Sequence, residues 1–195
     1  LEVLERQSNR LKKLIEDLIE ASKASTGNLA VHLEKLEAGV SVGQIVGEFE
    51  DKLNAADLTL LIQKPETPVY VMADGRHFWR VIDNLMNNIC KYAQPGTRVY
   101  VDLRENGGQV ELIFRNTSRY PLNISSEELM ERFVRGDESR NTEGSGLGIS
   151  IAKSLMELMG GSFMLYVDGD LFKVVLGFAQ MEEEKEPLDE DKSGK

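Results

Sequence analysis

A chain of 195 residues, 41% of them apolar, can build one domain of ordinary size plus an appendage. A net charge of −10 argues against nucleic acid or an anionic membrane surface as the main partner. The single cysteine, Cys90, excludes an internal disulfide and fits a reducing compartment; within an apolar helix it suits packing better than nucleophilic attack. No apolar run reaches the length of about 18 residues that spans a bilayer, and no signal peptide is visible. The opening at Leu1, in the middle of a helical pattern, is expected to mark a cut from a longer chain.

Leu4, Leu11 and Leu18 recur every seven residues, as do Gln7, Leu14 and Ala21, and Ile15 and Ile19 widen the stripe. This predicts a helix that packs in a bundle or coiled coil, because a lone helix cannot bury such a stripe by itself. SKASTGN, residues 22–28, carries turn residues and marks a boundary. Leu29 to Leu36 alternates and predicts a strand, and Ser41 is placed to cap a helix from Val42 to about Ala56. LTLLIQ and VYVMAD predict two short strands around Pro65 and Pro68, and Asp74 is placed to cap the helix that follows.

That helix, FWRVIDNLMNNICKYA over 78–93, organises the chain. At about 100° per residue, Phe78, Ile82, Leu85, Ile89 and Tyr92 share one buried stripe. Asn84, Asn88 and Lys91 form a second stripe beside it. Carboxamides and an ammonium at the border of a core need partners, so a ligand-facing edge and a solvated polar edge are the two readings.

RVYVDLRE, the turn Asn106-Gly107-Gly108 and QVELIFRN predict a hairpin. SSEELMERF predicts a short helix beginning at Ser125 or Ser126 with Glu128 as capping partner. The polar VRGDESRNTEGSG leads into the helix LGISIAKSLMELM, and SFMLYVD and LFKVVLGFA predict two strands turning at Gly169. The tail from Met181 is acidic and is expected to be disordered. Antiparallel hairpins beside longer helices predict an α+β two-layer sandwich.

Gly144-Ser145-Gly146-Leu147-Gly148 opens directly into a helix, where backbone N–H groups and the helix dipole favour an anion, although a tight turn uses the same residues. It is neither a Walker A loop nor a Rossmann fingerprint. Arg135 and Arg140 lie in the polar loop before it, as a basic lid over phosphate would, and Lys91 offers another cation. An asparagine oxygen together with nucleotide phosphates is an ordinary Mg²⁺ environment. The pieces point to a nucleoside triphosphate held between two helices.

NLMNNICKY, residues 84–92, resembles the N box of sensor histidine kinases. ERFVRGDESRNTEGSGLGISIAKSL resembles their F box, ATP lid and G2 box in the right order. The resemblance covers residues 1 to about 180. It implies the Bergerat ATP-binding fold for 28–180, with 1–25 as the second helix of the dimerisation and phosphotransfer bundle and 181–195 as a tail. It matches Asn88 to the Mg²⁺ ligand, Asn84 to the other polar N-box residue, Lys91 to the phosphate-contacting lysine and Tyr92 to its aromatic neighbour. Phe133 matches the F box, Arg135 and Arg140 are candidates for γ-phosphate contact, and Gly144, Gly146 and Gly148, with Ser145 and Leu147 between them, match the phosphate-wrapping G2 loop.

Two departures from the family pattern stand out. Where the G1 box has Asp-x-Gly-x-Gly, this chain has Asn116-Thr117-Ser118-Arg119-Tyr120, so Asn116 would accept from the adenine amino group as a neutral oxygen. Neither His32 nor His77 has H-box neighbours, so both are expected to be structural and the piece is not expected to phosphorylate itself. ATP-hydrolysing relatives place a glutamate where Asn84 stands; Asn84 cannot take a proton, and Asp83 is rotated by about 100° from that face. The implied function is ATP·Mg²⁺ binding and γ-phosphate transfer to a histidine on an absent helix, for relay to a response regulator. The implied parent is a homodimer, membrane-anchored outside this cytoplasmic piece. A non-catalytic nucleotide-binding or interaction module, and a serine kinase of the anti-sigma type, are the alternatives.

Overall fold

The structure, a computed structural model, describes residues 2–135 and 147–181. The long helix α1 (Glu2–Ser25) precedes β1 (Glu34–Glu37), α2 (Ala38–Gly47), α3 (Glu50–Ala55), β2 (Leu58–Gln63) and β3 (Tyr70–Ala73). The central helix α4 (Gly75–Tyr92) is followed by the hairpin β4 (Thr97–Asn106) and β5 (Gln109–Thr117), then α5 (Ser126–Arg135), α6 (Gly148–Leu158), β6 (Ser162–Asp168) and β7 (Leu171–Met181). The strands form one sheet in the order β1-β3-β7-β5-β4-β2, with β6 also paired to β7. All these pairs are antiparallel except β2 with β4, whose parallel pairing needs a crossover, and the crossover contains α4.

Alternation along the strands decides which face is covered. Val99, Val101 and Leu103 of β4, Val110, Leu112 and Phe114 of β5, and Phe172, Val174, Leu176 and Phe178 of β7 are buried. They share the side facing the helices, where α4 buries Phe78, Ile82, Leu85 and Ile89 and α6 buries Ile151, Leu155 and Met156. The Phe78 and Phe178 rings meet with centroids 5.6 Å apart. The opposite face carries the row Tyr100, Arg115, Lys173 and Tyr166. There Arg115 stacks on Tyr100 and Lys173 on Tyr166, each cation 5.1 Å from the ring centroid. One face covered by helices, and an opposite face of mixed polar and apolar side chains on which Ile113 and Val175 are still buried, make the predicted two-layer α+β sandwich.

Most predicted elements are present, and the departures have local causes. The β4–β5 turn uses Gly107 and Gly108 at φ +58° and +81°, a left-handed pair that keeps the hairpin tight. Of the strand predicted over Leu29–Leu36, only Glu34 onward pairs. The stretch before it is tied to α4 instead, His32 N–H donating to Asp74 at 2.9 Å and His77 Nε2 lying 2.8 Å from the Ala30 carbonyl oxygen. The helix predicted from Val42 begins at Ala38, capped by the Glu37 carboxylate rather than by Ser41, which lies inside it. It breaks at Glu48-Phe49 before α3, with Phe49 buried at the break. Ser125 is the cap of α5, its hydroxyl accepting from Glu128 N–H at 3.1 Å. Of the acidic tail predicted from Met181, Met181 itself pairs with Tyr70 as the last residue of β7, and 182–195 lie outside the described residues.

The first helix lies against the sandwich. Its Ala24 and Asp17 are buried and its Leu14 and Ala21 half-buried, on the side meeting α4 and α6. Leu4, Leu11, Ile15, Leu18 and Ile19 remain exposed on another face.

Candidate functional site

α4 is the platform. The Asp74 carboxylate accepts from the N–H groups of Arg76 and His77 at 3.0 and 3.2 Å, so the first orphan donors of the helix are satisfied. Burial pushes the Asp74 pKa up, but the backbone donors of His32, His77 and Arg76 and the nearby His77 ring outweigh it and hold the carboxyl below its ordinary value. The apolar stripe anchors the helix on the sheet, which leaves Asn84, Asn88, Lys91 and Tyr92, all half-buried, along its border. From Asn84 to Tyr92 that border runs about 12 Å at 1.5 Å per residue, comparable to an extended nucleoside triphosphate. The Lys91 ammonium rests 4.8 Å from the centroid of the Tyr92 ring.

The start of α6 closes one end of the border. Gly148 lies so near α4 that a Cβ there would be 3.2 Å from the Asn84 side-chain oxygen. The Asn84 side-chain nitrogen is buried without a hydrogen-bond partner among the described residues. Leu147 precedes the helix in a near-helical conformation, half-buried, its carbonyl accepting from Ile151 N–H at 2.9 Å and the Ser150 hydroxyl at 2.8 Å.

The end of β5 closes the other. Ala93 bridges to Ser118, Arg119 N–H donates to the Tyr92 carbonyl at 2.8 Å, and Gln94 N–H donates to the Thr117 carbonyl at 2.9 Å. These bonds tie the last turn of α4 to the strand end carrying Asn116, which sits on the helix-facing side in register with Val99 and Phe172. Asn116 is 4% exposed; its Nδ2 donates to the Thr117 carbonyl at 3.2 Å, and its Oδ1 is buried with no partner among the described residues. A buried acceptor left unpaired costs about 1–3 kcal/mol, and a ligand N–H in this cleft would recover it.

Of the predicted site residues, Asn84, Asn88, Lys91 and Tyr92 lie along the border of α4, Leu147 and Gly148 open the helix that meets Asn84, and Asn116 lies on the strand end tied to the last turn of α4. Phe133 and Arg135 fall on α5, but their side chains, with Arg140, Gly144, Ser145 and Gly146, lie outside the described residues. His32 and His77 both serve the α4 cap region. Asp83 is engaged elsewhere, within 2.8 Å of Asn87 Nδ2 and 3.4 Å of Arg80. Among the described residues no group of three or more His, Cys, Asp or Glu side chains is placed to hold an ion. Burial raises the Cys90 thiol pKa, although the Lys52 charge works against it, so the thiol stays protonated.

A helix bordered by asparagines and met by a glycine-opened helix, over an open mixed sheet, fits an ATP-binding domain. Residues 73–187 match the family described as histidine kinase-, DNA gyrase B-, and HSP90-like ATPases, and the chain belongs to that family. The probable sensor protein PcoS of Escherichia coli is 28% identical over 171 residues, 86% of this chain and 36% of PcoS. In fold, the histidine kinase AdeS of Acinetobacter baumannii superposes with TM-score 0.73 at 20% identity, covering 93% of this chain and 84% of that one. Full-length ShkA in complex with AMPPNP superposes with TM-score 0.76 at 16% identity, covering 93% of this chain and 39% of that one. The chain spans between 11% and 39% of the length of curated relatives it matches. Among the described residues no helix is long and apolar enough to cross a membrane.

Sequence reasoning passed over Arg80, one turn before Asn84. Its guanidinium bonds Asp17 at 2.7 Å and Glu20 at 2.9 Å, both on α1.

Proposed function

We propose that this chain is the ATP·Mg²⁺-binding catalytic portion of a sensor histidine kinase. In this reading it passes the γ-phosphate to a histidine on a bundle helix outside the chain, for relay to a response regulator. The observation that carries the reading is the buried, unpartnered Asn116 oxygen at one end of a cleft whose other end is Asn84 against Gly148. Both fit the nucleotide: an orphan acceptor suits the adenine amino group, and a helix start without a Cβ leaves backbone open to phosphate.

ATP with its magnesium supplies, when bound, the phosphoryl group and the charge that neutralises it. The roles of this chain's residues follow from their chemistry. The Asn116 oxygen accepts from the base and selects adenine. The Asn88 carboxamide oxygen is a hard, neutral ligand of the kind Mg²⁺ takes beside water and phosphate oxygens. Lys91, now over Tyr92, offers its ammonium to phosphate. By the family resemblance, Phe133, Arg135, Arg140, Gly144, Ser145 and Gly146 would belong to the nucleotide site as its F box, lid and G2 loop.

Asn84 stands where a hydrolytic relative carries its general base, and a carboxamide takes no proton. Water is therefore poorly activated, whereas a neutral imidazole is a nucleophile without help. The exposed stripe of α1, Leu4, Leu11, Ile15, Leu18 and Ile19, fits the rest of a dimeric bundle in a membrane-anchored parent whose cytoplasmic side holds this piece.

The test is to supply a separate polypeptide bearing the phosphoacceptor helix together with γ-labelled ATP and Mg²⁺. Acid-labile label on that polypeptide's histidine is expected; acid-stable label, or none under saturating nucleotide, contradicts the reading.

A further inference from the structure

The two ends of the strand order are built differently. At one end β1 is four residues long and charged at Glu34, Lys35 and Glu37, an ordinary guard for a sheet edge. At the other end β2 reads Leu58-Thr59-Leu60-Leu61-Ile62-Gln63, six residues without a charge, a proline or a glycine. Among the described residues β2 pairs only with β4, so the backbone N–H and C=O groups on its outer side have no strand beside them.

Apolar side chains reach this edge on both faces of the sheet. Ile62 is in register with Val101, Phe114 and Val174, all fully buried, yet it is itself 40% exposed, so the core row stops one strand short of cover. Leu61, beside Tyr100 on the opposite face, is 39% exposed. The ends of β2 select what fits. Asp57 precedes the strand and Lys64 follows it, both exposed and opposite in sign. The Lys64 ammonium reaches the Gly39 carbonyl at 3.5 Å, the outer limit of a hydrogen bond, which leaves it free to turn to a carboxylate. An antiparallel copy of β2, related by a two-fold axis at Leu60-Leu61, carries each Asp57 toward the other chain's Lys64 and sets apolar side chains against apolar ones on both faces. A parallel copy would set like charge against like.

We propose that β2 is a self-pairing edge, at which a second copy of this chain adds its own β2 antiparallel and the two sheets become one. The added strand covers Leu61 and Ile62 and gives the outer backbone groups partners. Pairing six residues a side buries less than a standard stable interface, so the association is weak and grows with concentration. It does not depend on the nucleotide reading.

The test combines sedimentation velocity over a wide concentration range with pulsed electron spin resonance, both on the 195-residue chain. The spin label goes on Arg98→Cys in a Cys90→Ala background, since Arg98 is exposed on β4 in register with Thr59 of β2. A dimer that grows with concentration and gives one narrow distance between the two labels is expected. Leu61→Lys puts a charge at the centre of the pairing and should weaken association at least about tenfold, with the distance lost. Lys64→Glu makes both ends repulsive in the antiparallel arrangement and should weaken association about three- to tenfold, less so at high salt. A monomer at every concentration overturns the pairing. So does a dimer that Leu61→Lys leaves unchanged, because the contact then lies elsewhere, the exposed stripe of α1 first. A dimer lost in Leu61→Lys but undiminished in Lys64→Glu overturns the antiparallel arrangement.

Discussion

Asn116 keeps a hydrogen-bond acceptor in the core without a partner among the described residues, which no stability argument explains. Asn116→Leu should therefore leave thermal stability unchanged or slightly raised and weaken ATP binding about tenfold, read by unfolding and titration on the same samples. Gly148 makes a parallel case. A methyl group there meets the Asn84 oxygen at 3.2 Å, so Gly148→Ala should lower nucleotide affinity several-fold without lowering stability, alanine being the better helix former by about 1 kcal/mol. Asn84→Glu supplies a proton acceptor and should raise ATP hydrolysis at least about tenfold in a phosphate-release assay. Residues of this kind were legible because asparagines bordering an apolar stripe are out of place unless they face something. Arg80 was not, because its partners Asp17 and Glu20 lie 63 and 60 residues away and only the fold brings them together.

The elements answer to their caps. Asp74 holds the first turn of α4 and also the backbone of His32, so Asp74→Ala should cost about 1–2 kcal/mol by denaturant unfolding at neutral pH. The folded pKa of this carboxyl lies below its ordinary value, near 3.9 for an aspartate. The stability it contributes is complete above that pH and is lost as pH falls through the folded value, so the gap between wild type and variant should shrink below about pH 4. Asp74 was legible as a cap because aspartate before a periodic helix is a strong signal. Glu37 was not, since glutamate is an uncommon cap, and the prediction settled on Ser41 instead. The segment at Leu29–Leu33 alternates like a strand, yet its backbone partners are the α4 cap residues, a tertiary choice that periodicity does not contain.

For the whole molecule, helix-face burial and strand alternation predicted the layers, while the parallel placement of β2 beside β4 and the joining of β1 to β3 and β7 rest on long-range pairing that no local pattern encodes. The result is a platform that holds the asparagine border of α4 between Gly148 and Asn116 and leaves α1 with an apolar stripe exposed. In this reading the border of α4 holds a nucleotide's phosphates through magnesium. Calorimetric titration of AMPPNP into the wild-type chain and Asn88→Ala, each with Mg²⁺ and with Mg²⁺ removed by chelator, tests it most sharply. The wild type is expected to bind at least about tenfold more tightly with Mg²⁺ and Asn88→Ala to lose most of that difference; equal affinity for both proteins with Mg²⁺ present would speak against a magnesium role for Asn88.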